Sequence, residues 1–558
     1  MRKLLAISAC LILFSLILIP RTNVYSQRRE DRRQLYVDDQ ILVKLKAQAE
    51  PAPDADQMAE EIVRAPGVRA ETLTIRRRAD IQLIHLNKSV SVEEAVRRAK
   101  EDPRVEYAEP DYLVYATDTV PNDPYFTQMW GLSSFGDPGQ QTPNIDATQA
   151  WDMTTGSDNV VAAVLDAGVD LQHEDLAANA WVNPLEISGN GVDDDGNGFA
   201  DDINGWNFRD KNNQTFKSSS EDFHGTHVAG TIGAVGNNGK GVTGVAWHVK
   251  LMSLKFLGIQ SDGRIGGSTS GAVRGINYAI DIRNRGVNVR VINASFGGGD
   301  PSQSLRDAIA AANAAGILFV CAAGNESNNI EEKPTYPAAY SADLSGAMSV
   351  AAVDQGGGLA YFSNTGHSSV SVAAPGVAIV STLPRSPFAP NGAYDRLQGT
   401  SMSSPYVAGI AVLLWSQDPS LTPKQVKQRI IATSEPLPSL VSKVAGSGRA
   451  SAYSALTGRI APVQAPVVLG VQFAKKVVTI NGFGFVDGSA VIEVDDTPLP
   501  TVSYDHSFAL ANGSLTQLTA DLGKKPLKRT FPAGVQVGIA VLNPSTGQRS
   551  PKFYTTRF

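Results

Sequence analysis

Four short stretches carry side chains able to perform acyl transfer together. In "LQGTSMSSPYVAG", Leu397 to Gly409, the hydroxyls of Thr400, Ser401, Ser403 and Ser404 crowd ahead of Pro405. A serine attacks a carbonyl only with a base to take its proton, a carboxylate to orient that base, and donors for the developing oxyanion. "FHGTHVAG" offers His224 and His227, with Gly225 permitting close backbone approach. "NVVAAVLDAGVD" brings Asp166 to the end of an apolar run, and "LFVCAAGNES" brings the neutral amide of Asn325 to the end of another. Each has an ordinary reading too: Asp166 and Asn325 as turn formers, the serines as a loop or helix cap. A zinc helix needs histidines four apart with a glutamate between them, and this pair is three apart without one. Cys321, in the strand before Asn325, reads as a small core residue.

These residues need a scaffold that brings distant positions to one edge. From 122 to 457, apolar β-branched runs ("VVAAVL", "VKLMSLKF", "VRVINASF", "ILFVCAA") alternate with Ala/Gly-rich helical segments such as "SLRDAIAAANAA". Continuous apolar runs joined by helices predict an α/β fold with a doubly wound, mostly parallel sheet, whose ligand crevice lies outside the carboxyl ends of its strands. "SMSSPYVAGIAVLLW" reads as a helix opened by Ser401, whose first amides are unpaired and positively polarised. Pro405 is expected in its first turn, where a missing N–H costs nothing.

Two other regions flank this core. Residues 36–116 read βαββαβ, a small α+β ferredoxin-like unit, ended by the turn-rich "DTVPNDP". Residues 465–558 show short alternating strands with Gly/Asp/Asn turns, which predicts an all-β sandwich of immunoglobulin-like type. Residues 1–26 read as a secretory signal: two basic residues, an apolar stretch to Pro20, then Val24-Tyr25-Ser26. With Cys10 in that segment, Cys321 has no partner in the mature chain, so stability outside the cell must come from elsewhere, bound metal included.

"NGVDDDGNGFADDINGW" spaces Asp193, Asp195 and Asn197 at alternate positions before Gly198, then Asp201, like the opening of a calcium loop. Asn204 stands where the bidentate glutamate of an EF-hand belongs, so a surface calcium loop is expected, with a solvated acidic turn as the alternative.

"VLDAGVD", "HGTHVAG" and "GTSMSSPYVAG", in the order Asp, His, Ser, resemble the signature blocks of the subtilisin-like (subtilase) serine peptidases. The resemblance implies Ser401 as nucleophile, His224 as general base and then acid, Asp166 as orienting acid and Asn325 as oxyanion donor beside the Ser401 N–H. It implies substrate contacts at Ser295, Phe296 and Gly297, an edge that would pair with an extended peptide, and at Ala323, Gly324 and Thr335. It further implies a structural calcium held by Asp123, Asp175 and Asn238. The 36–116 unit is similar to the inhibitory prodomains of these peptidases, with cleavage expected between Tyr112 and Asn122. The C-terminal unit is similar to IPT/TIG modules.

A formal net charge of −6 with intermixed charges gives no basic nucleic-acid footprint. The expectation is a secreted, monomeric, self-processing endopeptidase of broad specificity, extracellular or held in the periplasm or at the cell surface. Its partners would be protein or peptide substrates and its own prodomain, with no nucleic acid and no membrane once the signal is removed. The rival is a catalytically silent, calcium-binding adhesion protein on the same fold. All four catalytic positions are filled, which favours the enzyme.

Overall fold

The computed structural model describes residues 36–46, 55–72, 81–87, 89–112, 119–133, 142–298, 300–460, 466–474, 476–499, 502–504, 514–544 and 548–557. The expected signal over 1–26 lies outside them, as do residues 113–118 of the expected cleavage region. Two units divide at Ala116 and Thr117.

In the larger unit, alternate residues of strand Gly156–Asp166 enter opposite cores: Val160, Ala162 and Val164 one, Val161, Ala163 and Leu165 the other. A strand buried on both faces needs cover on both, which explains its unbroken apolar sequence. It lies between Val289–Ala294 and His248–Lys255, with Leu318–Ala322, Ala347–Val353 and Val372–Pro375 following, all parallel. Glu435–Pro436 adds the one antiparallel edge of this nine-stranded sheet. Parallel alignment collects Asp166, Lys255, Ala294 and Ala322 at one edge, where the expected crevice lies.

Helix Thr400–Gln417 is buried from Met402 through Trp415, as its all-round apolar sequence requires. Its Tyr406, Val407 and Ile410 share one core with Val228, Ala229 and Ile232 of helix Phe223–Gly233. His224 and Ser401 both occupy the opening turns of these co-packed helices. Pro405 differs from the sequence expectation, falling in the second turn and not the first. Its missing N–H would have bonded the Ser401 carbonyl, which accepts from Ser295 Oγ at 2.9 Å instead.

The N-terminal unit, taken by itself, has a four-stranded antiparallel sheet covered by helices Ala55–Val63 and Val92–Glu101. From one edge its strands are Arg69–Thr72, Ile81–His85, Tyr36–Leu45 and Val105–Tyr112, the βαββαβ arrangement expected. Beyond 466, two antiparallel sheets enclose a core of Val478, Ile480, Phe485, Ile492, Leu518 and Ile539. A short helix, Lys524–Thr530, which the strand pattern did not indicate, joins them.

Candidate active site

Asp166 is fully buried, and its Oδ1 accepts from His224 Nδ1 at 2.8 Å and from the Ala167 N–H at 2.7 Å. A carboxylate only accepts, so Nδ1 carries the proton and Nε2 keeps its lone pair, the tautomer a general base needs. Burial by itself would depress His224; the charge of Asp166 and the hydrogen bond outweigh it and raise His224 above its ordinary value. Gly225 makes the approach possible, since a Cβ there would stand 2.2 Å from the Gly168 carbonyl oxygen. His227 is a structural histidine: Nε2 bonds the Ile379 carbonyl at 2.9 Å, and burial pushes its pKa down to about 4.

Ser401 Oγ donates to the Ser295 carbonyl at 3.1 Å and makes no hydrogen bond to His224. Catalytic hydrogen bonds often form or tighten only with substrate bound. Ser295 Oγ in turn touches Ser404 Oγ and receives Asn293 Nδ2, each at 2.9 Å, so the strand end and helix start are tied together.

Asn325 shows which end of its amide is available. The Thr400 N–H, 2.9 Å away, can only donate, so the atom facing it is Oδ1, and Thr400 Oγ1 binds the same oxygen at 3.0 Å. Nδ2 has no acceptor among the described residues. Gly399, at φ +150°, keeps the space beside it open: a Cβ there would lie 3.6 Å from both Asn325 Nδ2 and the Ser401 nitrogen. Two N–H donors brought together beside a serine are the arrangement an oxyanion site requires.

Gly297 and Thr335 of the expected substrate edge lie side by side. Phe296 and Gly297 have no backbone partner among the described residues, and a Cβ on Gly297 would meet Thr335 Cγ2 at 3.1 Å. Opposite, Asn364 Nδ2 holds the Ala323 carbonyl at 3.0 Å and lies 3.4 Å from Thr335 Oγ1, while the Gly324 N–H reaches Thr400 Oγ1 at 3.1 Å. Unpaired edge groups accept any extended peptide by strand addition.

Residues 157–454 match the profile described as the subtilase family. The chain belongs to the subtilase family. It is 33% identical over 397 residues to an extracellular protease of Xanthomonas campestris pv. campestris, covering 68% of this chain but only 64% of that protein. It is 33% identical over 413 residues to a thermostable alkaline protease of Halalkalibacterium halodurans, covering 72% and 94% respectively. Subtilisin E of Bacillus subtilis is 34% identical over 343 residues, 61% of this chain and 73% of that one. Residues 23–111 match the fervidolysin N-terminal prodomain, consistent with the ferredoxin-like unit described above.

This subtilase holds two candidate metal sites. In the first, the Asn238 side chain bonds Asp175 Oδ1 at 2.8 Å, and the backbone N–H groups of Asn237 and Asn238 reach the two oxygens of Asp123. Asp123 and Asp175 are buried with no described cation paired to either; burial, with the charge of Asp175 adding to it, pushes Asp123 up to about 6. Two hard oxygen donors withdrawn from water and lacking a countercharge fit a calcium ion. At the acidic loop the structure amends the expected set. Asp193 and Asp195 converge with Glu186, a residue absent from that set. Asp201 turns away to accept from the Gly189 and Gly191 N–H groups, and Asn197 Nδ2 donates to Asp195 and Asp202. The spacing rule takes ligands from one loop, whereas Glu186 reaches in from seven residues before Asp193 to accept from the Asp194 and Asp195 N–H groups.

Sequence reasoning also missed the parts played by Thr400 and Asn364, which hold the Asn325 side chain and the Ala323 carbonyl, since a polar residue near a turn has many uses. Cys321 is the buried core thiol expected, pushed up to about 12 by burial.

Proposed function

We propose that the chain is a secreted endopeptidase that hydrolyses extended polypeptides with broad specificity and is made as a self-processing precursor. Ser401 attacks the scissile carbonyl while His224 Nε2 takes its proton. Asp166 stabilises the imidazolium, and the Asn325 amide with the Ser401 N–H receives the oxyanion. His224 then protonates the leaving amine, and water repeats the cycle on the acyl-enzyme. The observation that carries this reading is the orientation of Asn325: its oxygen is occupied by Thr400, so its amide is turned to the point next to the Ser401 N–H.

Wild-type protein is expected to hydrolyse casein, and Asn325→Ala to lower kcat by about 10²–10³-fold with KM little changed, the loss known for the equivalent donor of a subtilisin. Intact casein with the wild type, or equal kcat in the two proteins, would overturn the reading. The free backbone of Phe296 and Gly297 supports broad specificity, and the prodomain-like unit supports intramolecular inhibition before cleavage between Tyr112 and Asn122. The similarity to extracellular proteases supports secretion.

Asp123, Asp175 and Asn238 would hold a calcium that supplies the missing countercharge and locks residues 237–242 to the segment around Asp123. Glu186, Asp193 and Asp195 are the second candidate set. Adding a chelator to the calcium-loaded protein should lower Tm by several degrees and restoring calcium should recover it; an unchanged Tm would remove the calcium proposal.

A further inference from the structure

Beneath the Asp166–His224 pair lies a cation that the reaction scheme does not use. Lys255 ends strand His248–Lys255, directly opposite Asp166 in the parallel register, and its side chain is fully buried. Its ammonium donates to the Ala167 carbonyl, to Asp222 Oδ1 at 2.6 Å and to the Leu257 carbonyl at 3.2 Å. Glu221 Oε1 stands 2.7 Å away as an ion pair, with Lys217 a further 3.7 Å contact on the other oxygen of Glu221.

Both ends of this bridge are next to the reacting groups. Ala167 follows Asp166, and the Asp166 carbonyl accepts the N–H groups of Phe256 and Leu257, the two residues after Lys255. Asp222 is the N-cap residue of the helix that presents His224 two positions later. An N-cap aspartate ordinarily spends its carboxylate on its own helix, but Asp222 makes no such bond. Its Oδ1 goes to Lys255, and its Oδ2 accepts from the N–H groups of Lys217 and Ser218. Burying a cation against two carboxylates is costly and gives no stability advantage over apolar packing, so its retention beside the site calls for a geometric reason.

We propose that Lys255 is a positioning residue for the Asp166–His224 pair, its ammonium clamping the end of the Asp166 strand to the N-cap of the His224 helix and so setting the separation of the two side chains. The clamp is held short because Lys255 Nζ and Asp222 are fully buried and Nζ spends its three protons on Ala167, Asp222 and Leu257. The Asp166–His224 bond joins the tips of two elements that share apolar packing further along, and the clamp adds a polar tie directly beside the reacting pair. A displacement of an ångström at such a site costs about 10²-fold in rate.

The inference rests on the hydrolytic reading above: inactive wild type overturns that reading, whereas active wild type with an equally active variant overturns this one alone. The experiment compares wild type, Lys255→Met, Asp222→Asn and, as a stability control, Arg449→Met, which breaks the Asp146 pair at the far edge of the sheet. Active sites are counted with a peptidyl fluorophosphonate, so that misfolded molecules do not enter kcat. Lys255→Met is expected to lower kcat by about 10–10²-fold at nearly constant KM, and to shift or broaden the low-field proton resonance of His224 Nδ1. Asp222→Asn should move both readouts the same way by less, and Arg449→Met should lower Tm while moving neither. A kcat per titrated site within two-fold of wild type, or a loss of kcat with an unaltered His224 resonance, would overturn the proposal. Should Lys255→Met yield no folded protein, Asp222→Asn decides by the same two readouts.

Discussion

Ser401→Ala is expected to accumulate as an uncut precursor and to hydrolyse casein about 10⁶-fold more slowly than wild type, the order of loss measured when a subtilisin loses its nucleophile. The variant removes one oxygen atom. Ser401 Oγ bonds only the Ser295 carbonyl, so the substitution removes one hydrogen bond and should lower stability by about 1 kcal/mol. The helix keeps its tie to the strand through Ser295 Oγ and the Ser401 carbonyl, which the substitution leaves in place. Gel mobility of the purified chain, N-terminal sequencing and casein hydrolysis measure the three consequences. Equal processing and equal hydrolysis in the two proteins would refute both the nucleophile and self-cleavage; processing in trans by added wild type would still leave Ser401→Ala without activity of its own.

Asp166→Asn should lower kcat by about 10⁴-fold and move the acid limb of the kcat/KM profile to lower pH. The two effects share a cause. In the wild type, burial depresses His224 and the Asp166 charge with its hydrogen bond more than compensates, so the imidazole protonates above its ordinary value. Only neutral His224 accepts the serine proton; activity is therefore full above that pKa and lost as pH falls through it. In the variant the charge is gone while the burial stays, so protonation is deferred to lower pH. The same missing charge no longer stabilises the imidazolium formed in the transition state, and kcat falls. An asparagine amide presents an NH2 group as well as an oxygen where Asp166 offers two acceptors, so the tautomer of His224 is no longer enforced and the loss combines charge and tautomer. An acid limb moved upward, or a kcat loss under ten-fold, would contradict this account.

How much was legible beforehand differs from residue to residue. Asp166, His224, Asn325 and Ser401 sit at strand ends and helix starts whose apolar runs could be read directly; the structure bonds Asp166 to His224 and Asn325 to the opening residue of the Ser401 helix. The buried lysine left a trace as well: Lys255 interrupts "LMSL" and "FL" in a run otherwise apolar, and a charge there needs partners. Nothing in the sequence said that the partners would be Glu221 and Asp222. Pro405 falls beyond the first turn whether the helix starts at Ser401 or at Thr400, and the carbonyl its missing N–H would have bonded is taken up by Ser295 Oγ, a partner distant in sequence. The acidic loop was read by spacing alone, which reaches Asp193 and Asp195 but not Glu186, the residue that joins them from outside the loop.

The sequence by itself determined the alternation of strands and helices and the parallel sheet, because hydrophobic periodicity and local turn chemistry act over a few residues, and its motif blocks nominated the candidate reacting side chains through their resemblance to subtilases. Tertiary structure alone decided the tautomer of His224, the direction of the Asn325 amide, the resting bond of Ser401 to Ser295 and the clamp at Lys255. Each depends on a hydrogen-bond partner between 33 and 106 positions away in the chain. Such partners become neighbours only when the sheet has set its register and both helices have packed against it, and no local rule of spacing can anticipate them.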